Sequence, residues 1–181
     1  MSIDSDDTQQ WEDLMAVFSR PEADHSHTTH IDNSQIAPHF RRAIGHLGHL
    51  FAISKASLAI LEPQGRHLQV AHIYDKGLFH SNVIVLIPAD NSLLYQTLRQ
   101  GFPVVDNYPE LVTTNVIEKK ILLTSTAKSV LIVPLMQDRT HLGLLSLASR
   151  SSYAFGSYLD GIGEAIAVEL TESLMQSQIS R

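Results

Sequence analysis

Two apolar runs lie close together in the second half of the chain, within residues 128–149, and a short polar stretch separates them. Side chains of a β-strand alternate between the two faces of a sheet, so a hairpin with one face in water alternates apolar and polar residues. These two runs are apolar at odd and even positions alike. We therefore expect a β-hairpin whose two faces are both covered by other parts of the chain.

Three runs further upstream also have the composition of strands, namely 55–63, 66–75 and 81–89. A Pro-Gln-Gly turn between the first two favours a hairpin, and a short extended piece follows at 102–107. Strands joined by short turns form antiparallel sheets. The pattern predicts an α+β fold with a central antiparallel sheet of five to six strands.

Helical periodicity is found on both sides of these strands. Apolar residues recur at steps of three and four over 34–53, where Asn33 or Ser34 can cap the first turn. A shorter helix is expected over 90–101, with Asp90 as its N-cap. The sequence thus predicts one long and one short helix before the hairpin.

The last helix, over about 156–179, carries two apolar stripes on roughly opposite sides. One stripe is enough to pack on the sheet, so we expect this helix and helix 34–53 to cover one face together and to form a homodimer interface through the second stripe. A helix of this length also protrudes beyond a small sheet. The residues expected in the dimer interface are His39, His46, Gly161, Ala165, Val168, Met175 and Ile179.

The other face of the sheet is left to helix 90–101 and to segment 106–127, which we expect to form a mobile lid. A short helix and a lid over an apolar face leave room for a small molecule, and we expect this cavity over the face that bears Leu131 and Val133. Strand ends and the lid supply polar groups that can orient the ligand. The candidate ligand-binding residues are Tyr74, Asp106, Asn107, Tyr108, Val116, Thr124, Ser125, Ser129, Leu131, Val133 and Leu144.

The apolar side chains of the lid leave a second interpretation open. Seven bulky apolar residues within 108–127 are enough to close the cavity entirely. In that case the chain is a ligand-free dimerisation or protein-interaction module whose pocket is filled by its own side chains. The seven residues are Leu111, Val112, Val116, Ile117, Ile121, Leu122 and Leu123.

Residues 1–30 differ from the rest in composition. We expect an N-terminal extension here, with a short helix and a polar linker, ahead of a domain over 31–181. The linker histidines His25, His27 and His30 could bind a metal ion, which would make the chain a metal-dependent sensor. A flexible polar linker explains them better, so we expect no bound metal.

Charge and composition argue against several classes of function. The formal net charge is −6, and no cluster of lysine or arginine offers a track for phosphates, so we expect no nucleic-acid binding. The sequence has no 18-residue apolar span and no signal-peptide pattern, and we expect a cytoplasmic protein that does not enter a membrane. The Ser-x-x-Lys match at 125–128 runs into a strand instead of opening a helix. With no catalytic motif in its required context, we expect no enzymatic activity.

Ordered motifs along residues 35–176 resemble those of GAF domains, which are sensory modules of bacterial regulators. One family motif is Gly-x-Pro followed by an extended piece that ends in Asp, and Gly101, Pro103 and Asp106 match it. The other matches are Ser129, Pro134 and Leu135 in a Ser-x-x-x-x-Pro-Leu strand, Gly143 at the start of the next strand, Phe155 in an aromatic-led turn, and residues 165–167 in an alanine-rich helix.

The resemblance implies a GAF-like fold, with the N- and C-terminal helices on one face of the sheet and a short helix and lid loops on the other. It also implies a module that binds a small ligand or dimerises within a bacterial regulator. If a downstream output domain follows Arg181, we expect the protruding last helix to carry the signal to it. GAF domains that carry a bilin usually attach it through cysteine, and those that reduce free methionine sulfoxide also need cysteine. This chain has no cysteine, so we expect neither that activity nor a cofactor. The Asn-Lys-x-Asp/Glu-type signature of members that bind cyclic nucleotides is not recognisable here, so no such site is expected.

Overall fold

The computed structural model describes residues 35–89, 92–109, 113, 115–156 and 162–179. All of them belong to one unit of the chain, Asp32–Arg181. The extension over 1–30, with its short helix, lies outside the described residues. Its boundary with the domain therefore stays a prediction.

Within the described residues, six strands form the central sheet. Their bounds are β1 Ile53–Leu61, β2 His67–Asp75, β3 Leu78–Pro88, β4 Val104–Asp106, β5 Ser129–Gln137 and β6 Thr140–Ser149. They lie in the order β3-β2-β1-β6-β5-β4, and every neighbouring pair is antiparallel. The α+β fold with an antiparallel sheet of five to six strands is thus confirmed, and the extended piece at 102–107 contributes β4 at one edge.

The hairpin predicted over 128–149 consists of β5 and β6. Asp138 and Arg139 connect them, with φ angles of 48° and 69°. Two successive residues with positive φ match the twist of the flanking strands, which makes this turn a favoured two-residue connection. Every residue from 142 to 149 is buried. Both faces of the hairpin are therefore covered, as expected.

Four α-helices lie within the described residues. Their bounds are α1 Ala37–Phe51, α2 Leu93–Gln100, α3 Val116–Leu122 and α4 Ile162–Ile179. The predicted N-caps are wrong. The N-cap of α1 is Ile36, which makes no side-chain cap, instead of Asn33 or Ser34. The N-cap of α2 is Ser92 instead of Asp90, because the helix starts later than the polar run suggests and the Ser92 hydroxyl accepts a first-turn backbone N–H.

Helix α1 covers one face of the sheet, which we call the helix face. This face bears Leu58 of β1 and Val133 of β5, both in register with β6. Phe40 of α1 stacks on His72, which lies opposite Leu58 on β2, with ring centroids 5.8 Å apart. The apolar stripe predicted for helix 34–53 thus packs against the central strands.

Helix α4 lies beside α1 over the same face. His39 and Arg42 of α1 both face Glu169 of α4, at 3.7 Å (Nδ1–Oε1) and 3.4 Å (Nη1–Oε1). Leu170 and Leu174 of α4 are completely buried. The prediction that the two terminal helices cover one face together is confirmed.

Helices α2 and α3 cover the opposite face, which we call the site face. This face bears Ser57 of β1, Ser146 of β6 and Ile132 of β5 in one row across the strands. At the end of α2, a Cβ placed on Gly101 would lie 3.0 Å from the sulfur of Met136, which alternates onto the same face of β5 as Ile132. Helix α3 contacts β1 and β6.

Candidate functional site

The cavity predicted over Leu131 and Val133 is on the wrong face. Both residues lie on the helix face, where they are buried. Tyr74 lies there too, with its ring centroid 4.9 Å from that of Phe79, which in turn contacts Phe40 of α1. The alternation of residues in the hairpin shows that both faces are covered, but it does not show which cover belongs to which face.

Segment 106–127 was expected to be a mobile lid, and its described residues instead include a capped helix that packs on the sheet. Asn115 caps α3, because its Oδ1 accepts the backbone N–H groups of Ile117 and Glu118 at 3.0 and 3.2 Å. Ile121 and Leu122 at the end of α3 are buried. Part of the apolar content of this segment therefore fills the core.

A buried carboxylate joins α3 to the start of α2. Glu118 is completely buried. Its Oε1 accepts hydrogen bonds from the Ser92 hydroxyl at 2.5 Å and from the Leu94 N–H at 3.1 Å. Its Oε2 accepts from the Thr113 hydroxyl at 2.7 Å and from the Leu93 N–H at 3.2 Å. The negative charge lies at a helix N-terminus, where the helix dipole and free N–H groups stabilise it. Glu118 therefore fixes the cover of the site face.

Beneath this cover, the site face carries a cluster of four buried polar residues on the central strands. The Lys55 ammonium donates to Asp75 Oδ2 at 3.0 Å, with side chains only 4% and 10% exposed. Ser57 and Ser146 share a hydrogen bond of 2.5 Å between their hydroxyls. Lys55 and Ser57 are two residues apart on β1 and so point to the same face. We call Lys55, Ser57, Asp75 and Ser146 the polar cluster.

The polar cluster is surrounded by apolar side chains on the same face. Ile73 lies opposite Ser57 on β2, and Ala148 lies opposite Lys55 on β6. Leu144, a candidate from the sequence, is two residues from Ser146 and is buried. Small-molecule sites are lined mainly by apolar side chains with a few fixed polar groups, and this face has that composition.

One oxygen of the polar cluster stands out. Asp75 Oδ1 is buried, and among the described residues it has no hydrogen-bond partner. Buried carboxylate oxygens are normally satisfied by protein groups or by ordered water. This oxygen is therefore a candidate contact for a bound molecule.

No residue of the polar cluster is among the candidates predicted from the sequence, whose polar members lie at strand ends and in the lid segment. A usable signal was present. Lys55 and Ser57 occupy alternate positions at the start of a predicted strand that continues with the apolar residues 58–61. Polar residues that share one buried face must find partners there, which points to a polar site within the core.

Three of the predicted polar candidates lie near the start of β5. Ser129 is buried and donates to the backbone carbonyl of Ser151 at 2.8 Å, so it holds the chain that leaves β6. Thr124 donates to the Ser54 hydroxyl at 3.2 Å. Ser125 is exposed. The contacts of Ser129 and Thr124 are structural.

The remaining candidates lie around β4 and α3. Asp106 Oδ1 accepts the backbone N–H of Tyr108 at 2.6 Å, which is a local turn. Asn107 has a buried Oδ1 without a hydrogen-bond partner among the described residues. Tyr108 is exposed, and its hydrogen bond with Tyr153, together with the repulsion between the negative charges of the two side chains once they are ionised, raises the pKa of Tyr153. Val116 is also exposed. The structure does not bring these residues to the polar cluster.

The residues predicted in the dimer interface do not share one environment in the structure. His39 is next to Glu169 at the contact between α1 and α4 within the chain. Met175 is half-buried. Gly161 and the side chain of Ile179 lie outside the described residues. The exposed members are His46, Ala165 and Val168.

A separate open cavity of about 350 Å³ lies on the outer side of α2. It is lined by Gln96, Arg99 and Gln100. All three are exposed, so this cavity is distinct from the one predicted beneath the cover.

The part of the chain that the structure describes offers neither a metal centre nor a membrane span. Within it, no three histidine or acidic side chains come together in a way that could hold a metal ion. The linker histidines His25, His27 and His30 lie outside the described residues. Within the same residues, no helix combines the length and apolar composition needed to cross a membrane.

The fold has several known relatives in three dimensions. One is the GAF domain of a two-component sensor histidine kinase from Bacillus halodurans, with a TM-score of 0.59 and 22% identity over 77% of this chain and 96% of that one. Another is a methyl-accepting chemotaxis protein, with a TM-score of 0.63 and 14% identity over 81% and 92% of the two chains. A third is the free methionine-R-sulfoxide reductase from Neisseria meningitidis, solved with its substrate, with a TM-score of 0.56 and 18% identity over 84% of each chain. No protein-family model and no curated protein sequence matches the chain.

The chain therefore has the GAF fold, as the ordered motifs of the sequence indicated. At these identities the likeness establishes the fold alone. GAF-shaped proteins include both sensory domains and reductases, so the activity of this chain depends on its own residues.

Proposed function

We propose that the chain is a non-catalytic sensory module that binds a small molecule at the polar cluster on the site face. The observation that carries this proposal is the burial of Lys55, Ser57, Asp75 and Ser146 together on an otherwise apolar face, beneath a cover of two short helices. Lysine and aspartate are almost never fully buried unless they are paired, and in this pair Asp75 Oδ1 has no hydrogen-bond partner among the described residues and is available to a ligand. In a domain of this shape, a site beneath the cover lets a ligand alter how the sheet and the helices pack.

The composition of the chain supports a non-catalytic role. Thiol chemistry needs cysteine, and the chain has none. In the polar cluster the Ser57 and Ser146 hydroxyls are hydrogen-bonded to each other and the Lys55 ammonium to Asp75 Oδ2, which is not the pairing of a nucleophile with a general base that covalent catalysis uses. The proposed module works without a cofactor, in the cytoplasm, and it acts on a downstream output domain and not on a nucleic acid or a membrane.

Ligand binding can be tested by thermal unfolding of the full chain against a metabolite panel of amino acids, organic acids, sugars and nucleotides. A ligand at a hundredfold excess over its Kd should raise the free energy of unfolding by about 2.7 kcal/mol. Ser146→Ala removes a hydroxyl of the polar cluster and should weaken this stabilisation. Ser173→Ala is the matched control, because it removes a buried hydroxyl of α4 that donates to the Glu169 carbonyl. A panel without any stabilising compound would count against the proposal.

A ligand-free dimerisation or protein-interaction module is the second candidate. The close packing of the core favours it, since Ile121 and Leu122 of α3 are buried and Leu144 beneath is only 1% exposed. In this case the polar cluster only specifies how the strands pair. The absence of ligand stabilisation, combined with stable dimers, would support this alternative.

We also propose that the module forms a homodimer through the exposed stripe of α4. Val168 is 51% exposed although it is a large apolar residue, and Ala165 one turn away is exposed and small. Val168→Glu combined with Met175→Glu should convert the dimer into a folded monomer in analytical ultracentrifugation. Lys120→Glu is the control, because it introduces a glutamate at an exposed residue of α3, which lies over the opposite face of the sheet. A wild-type chain that sediments as a monomer at high micromolar concentration would refute the dimer.

A further inference from the structure

The unused oxygen of Asp75 indicates what the bound molecule must contain. Oδ2 accepts the Lys55 ammonium, whereas Oδ1 is buried and has no hydrogen-bond partner among the described residues. Asp75 is 8% exposed, so bulk water has little access to it. A carboxylate oxygen only accepts hydrogen bonds, and an ammonium group makes the strongest ones with it. A ligand amine is the natural partner of Oδ1.

The net charge of the polar cluster restricts which charges the bound ligand can carry. Lys55 and Asp75 together carry no net charge. A ligand with only an amine would leave two ammonium groups around one carboxylate, and a ligand with only a carboxylate would face Asp75 without compensation. Either would bring an uncompensated charge into a buried site, which is costly. A molecule that carries both charges avoids this cost.

The serine pair provides a place for the second charge. Ser57 is two residues from Lys55 on β1, so its hydroxyl lies on the same face, roughly two strand steps of about 3.3 Å away. In the Ser57–Ser146 hydrogen bond, the hydroxyl that accepts keeps its own hydrogen for a further acceptor. A ligand carboxylate placed between Lys55 and the serines would complete a ring of alternating charges with Asp75 and the ligand amine.

We propose that the ligand is a small zwitterion of the free α-amino acid class, with its amine on Asp75 Oδ1 and its carboxylate toward Lys55, Ser57 and Ser146. This inference rests on the proposed function and specifies the ligand of that site. The apolar neighbours Ile73 and Leu144 would contact the ligand side chain and favour an apolar one.

The first test uses the wild-type full chain and needs no variant. The twenty common L-amino acids are screened by thermal unfolding, and each compound that binds is compared by calorimetry with its decarboxylated amine and with the carboxylic acid that lacks the amine. At least one amino acid should bind, and both analogues should bind at least about tenfold more weakly, because each loses a charge-assisted hydrogen bond in a buried site.

The second test locates the amine. Asp75→Asn keeps the shape of the side chain and removes its charge, and it should weaken binding of the amino acid much more than binding of its amine-free analogue. Glu62→Gln is the matched control, because Glu62 directly follows β1 and pairs with His67, the first residue of β2, at 3.1 Å, away from the polar cluster. This variant should bind the amino acid as the wild type does.

The outcomes separate the two proposals. Tight binding of another metabolite from the wider panel, with no amino acid bound, would contradict the proposal of a zwitterionic ligand but would still support the proposed sensory module. Equal affinity for an amino acid and its amine-free analogue would also contradict the zwitterionic ligand. If no compound of either panel binds, the zwitterion and the ligand-binding function both fail.

Discussion

Glu118→Ala is expected to lower the free energy of unfolding by about 3–5 kcal/mol. The carboxylate accepts four hydrogen bonds, from the hydroxyls of Ser92 and Thr113 and from the N–H groups of Leu93 and Leu94. Each buried donor left without an acceptor costs about 1–3 kcal/mol, and water entering the vacated space offsets part of the sum. Chemical denaturation of the full chain with urea measures this difference.

Two further variants make the result specific to the hydrogen bonds of Glu118. Glu118→Gln keeps the size and one oxygen acceptor, so it should destabilise less than the alanine variant. Glu172→Ala removes a glutamate that is exposed on α4 and should change the stability by no more than about 0.5 kcal/mol. If Glu118→Ala were as mild as Glu172→Ala, the carboxylate would not be what holds the cover of the site face.

Much of the fold could be predicted because hydrophobic periodicity is a local property. The hairpin over 128–149 follows from two apolar runs and a polar turn. The inward stripe of α4, with Leu170 and Leu174, follows from steps of three and four. The turn between β2 and β3 was not predicted correctly. Lys76 and Gly77, with φ angles of 48° and 92°, form a tight turn, so β3 starts at Leu78 and not at residue 81.

The candidate site was harder to predict, because it depends on contacts between distant parts of the sequence. Lys55 and Asp75 meet only through the register between β1 and β2, and Ser57 meets Ser146 across 89 positions. Nothing in the local sequence distinguishes Glu118 from the other polar residues of segment 106–127, although it is completely buried. Periodicity says which side of a strand is buried but not what covers it, so Val133 was assigned to the wrong cover.

Gly143 connects the family resemblance to a physical requirement. The resemblance places a glycine at the start of this strand, and the structure shows why the position has no side chain. Gly143 lies between Leu135 of β5 and Ile60 of β1, where a Cβ would overlap the backbone carbonyl oxygen of Ala59 and lie 3.2 Å from the Ile60 Cα. These neighbours are backbone atoms of a central strand, which cannot move aside as a flexible side chain would.

Gly143→Ala is therefore expected to destabilise the chain by at least about 3 kcal/mol, at the upper end of the cost of overpacking, because strand β1 must shift to admit one methyl group. Gly48→Ala provides the same chemical change as a control. A Cβ at Gly48 meets no atom within 4 Å, and in the interior of α1 alanine should stabilise by up to about 1 kcal/mol. Urea denaturation should thus show opposite signs for the two variants. A Gly143→Ala protein as stable as the wild type would mean that β1 and β6 do not approach as closely at this point as the register of the sheet requires.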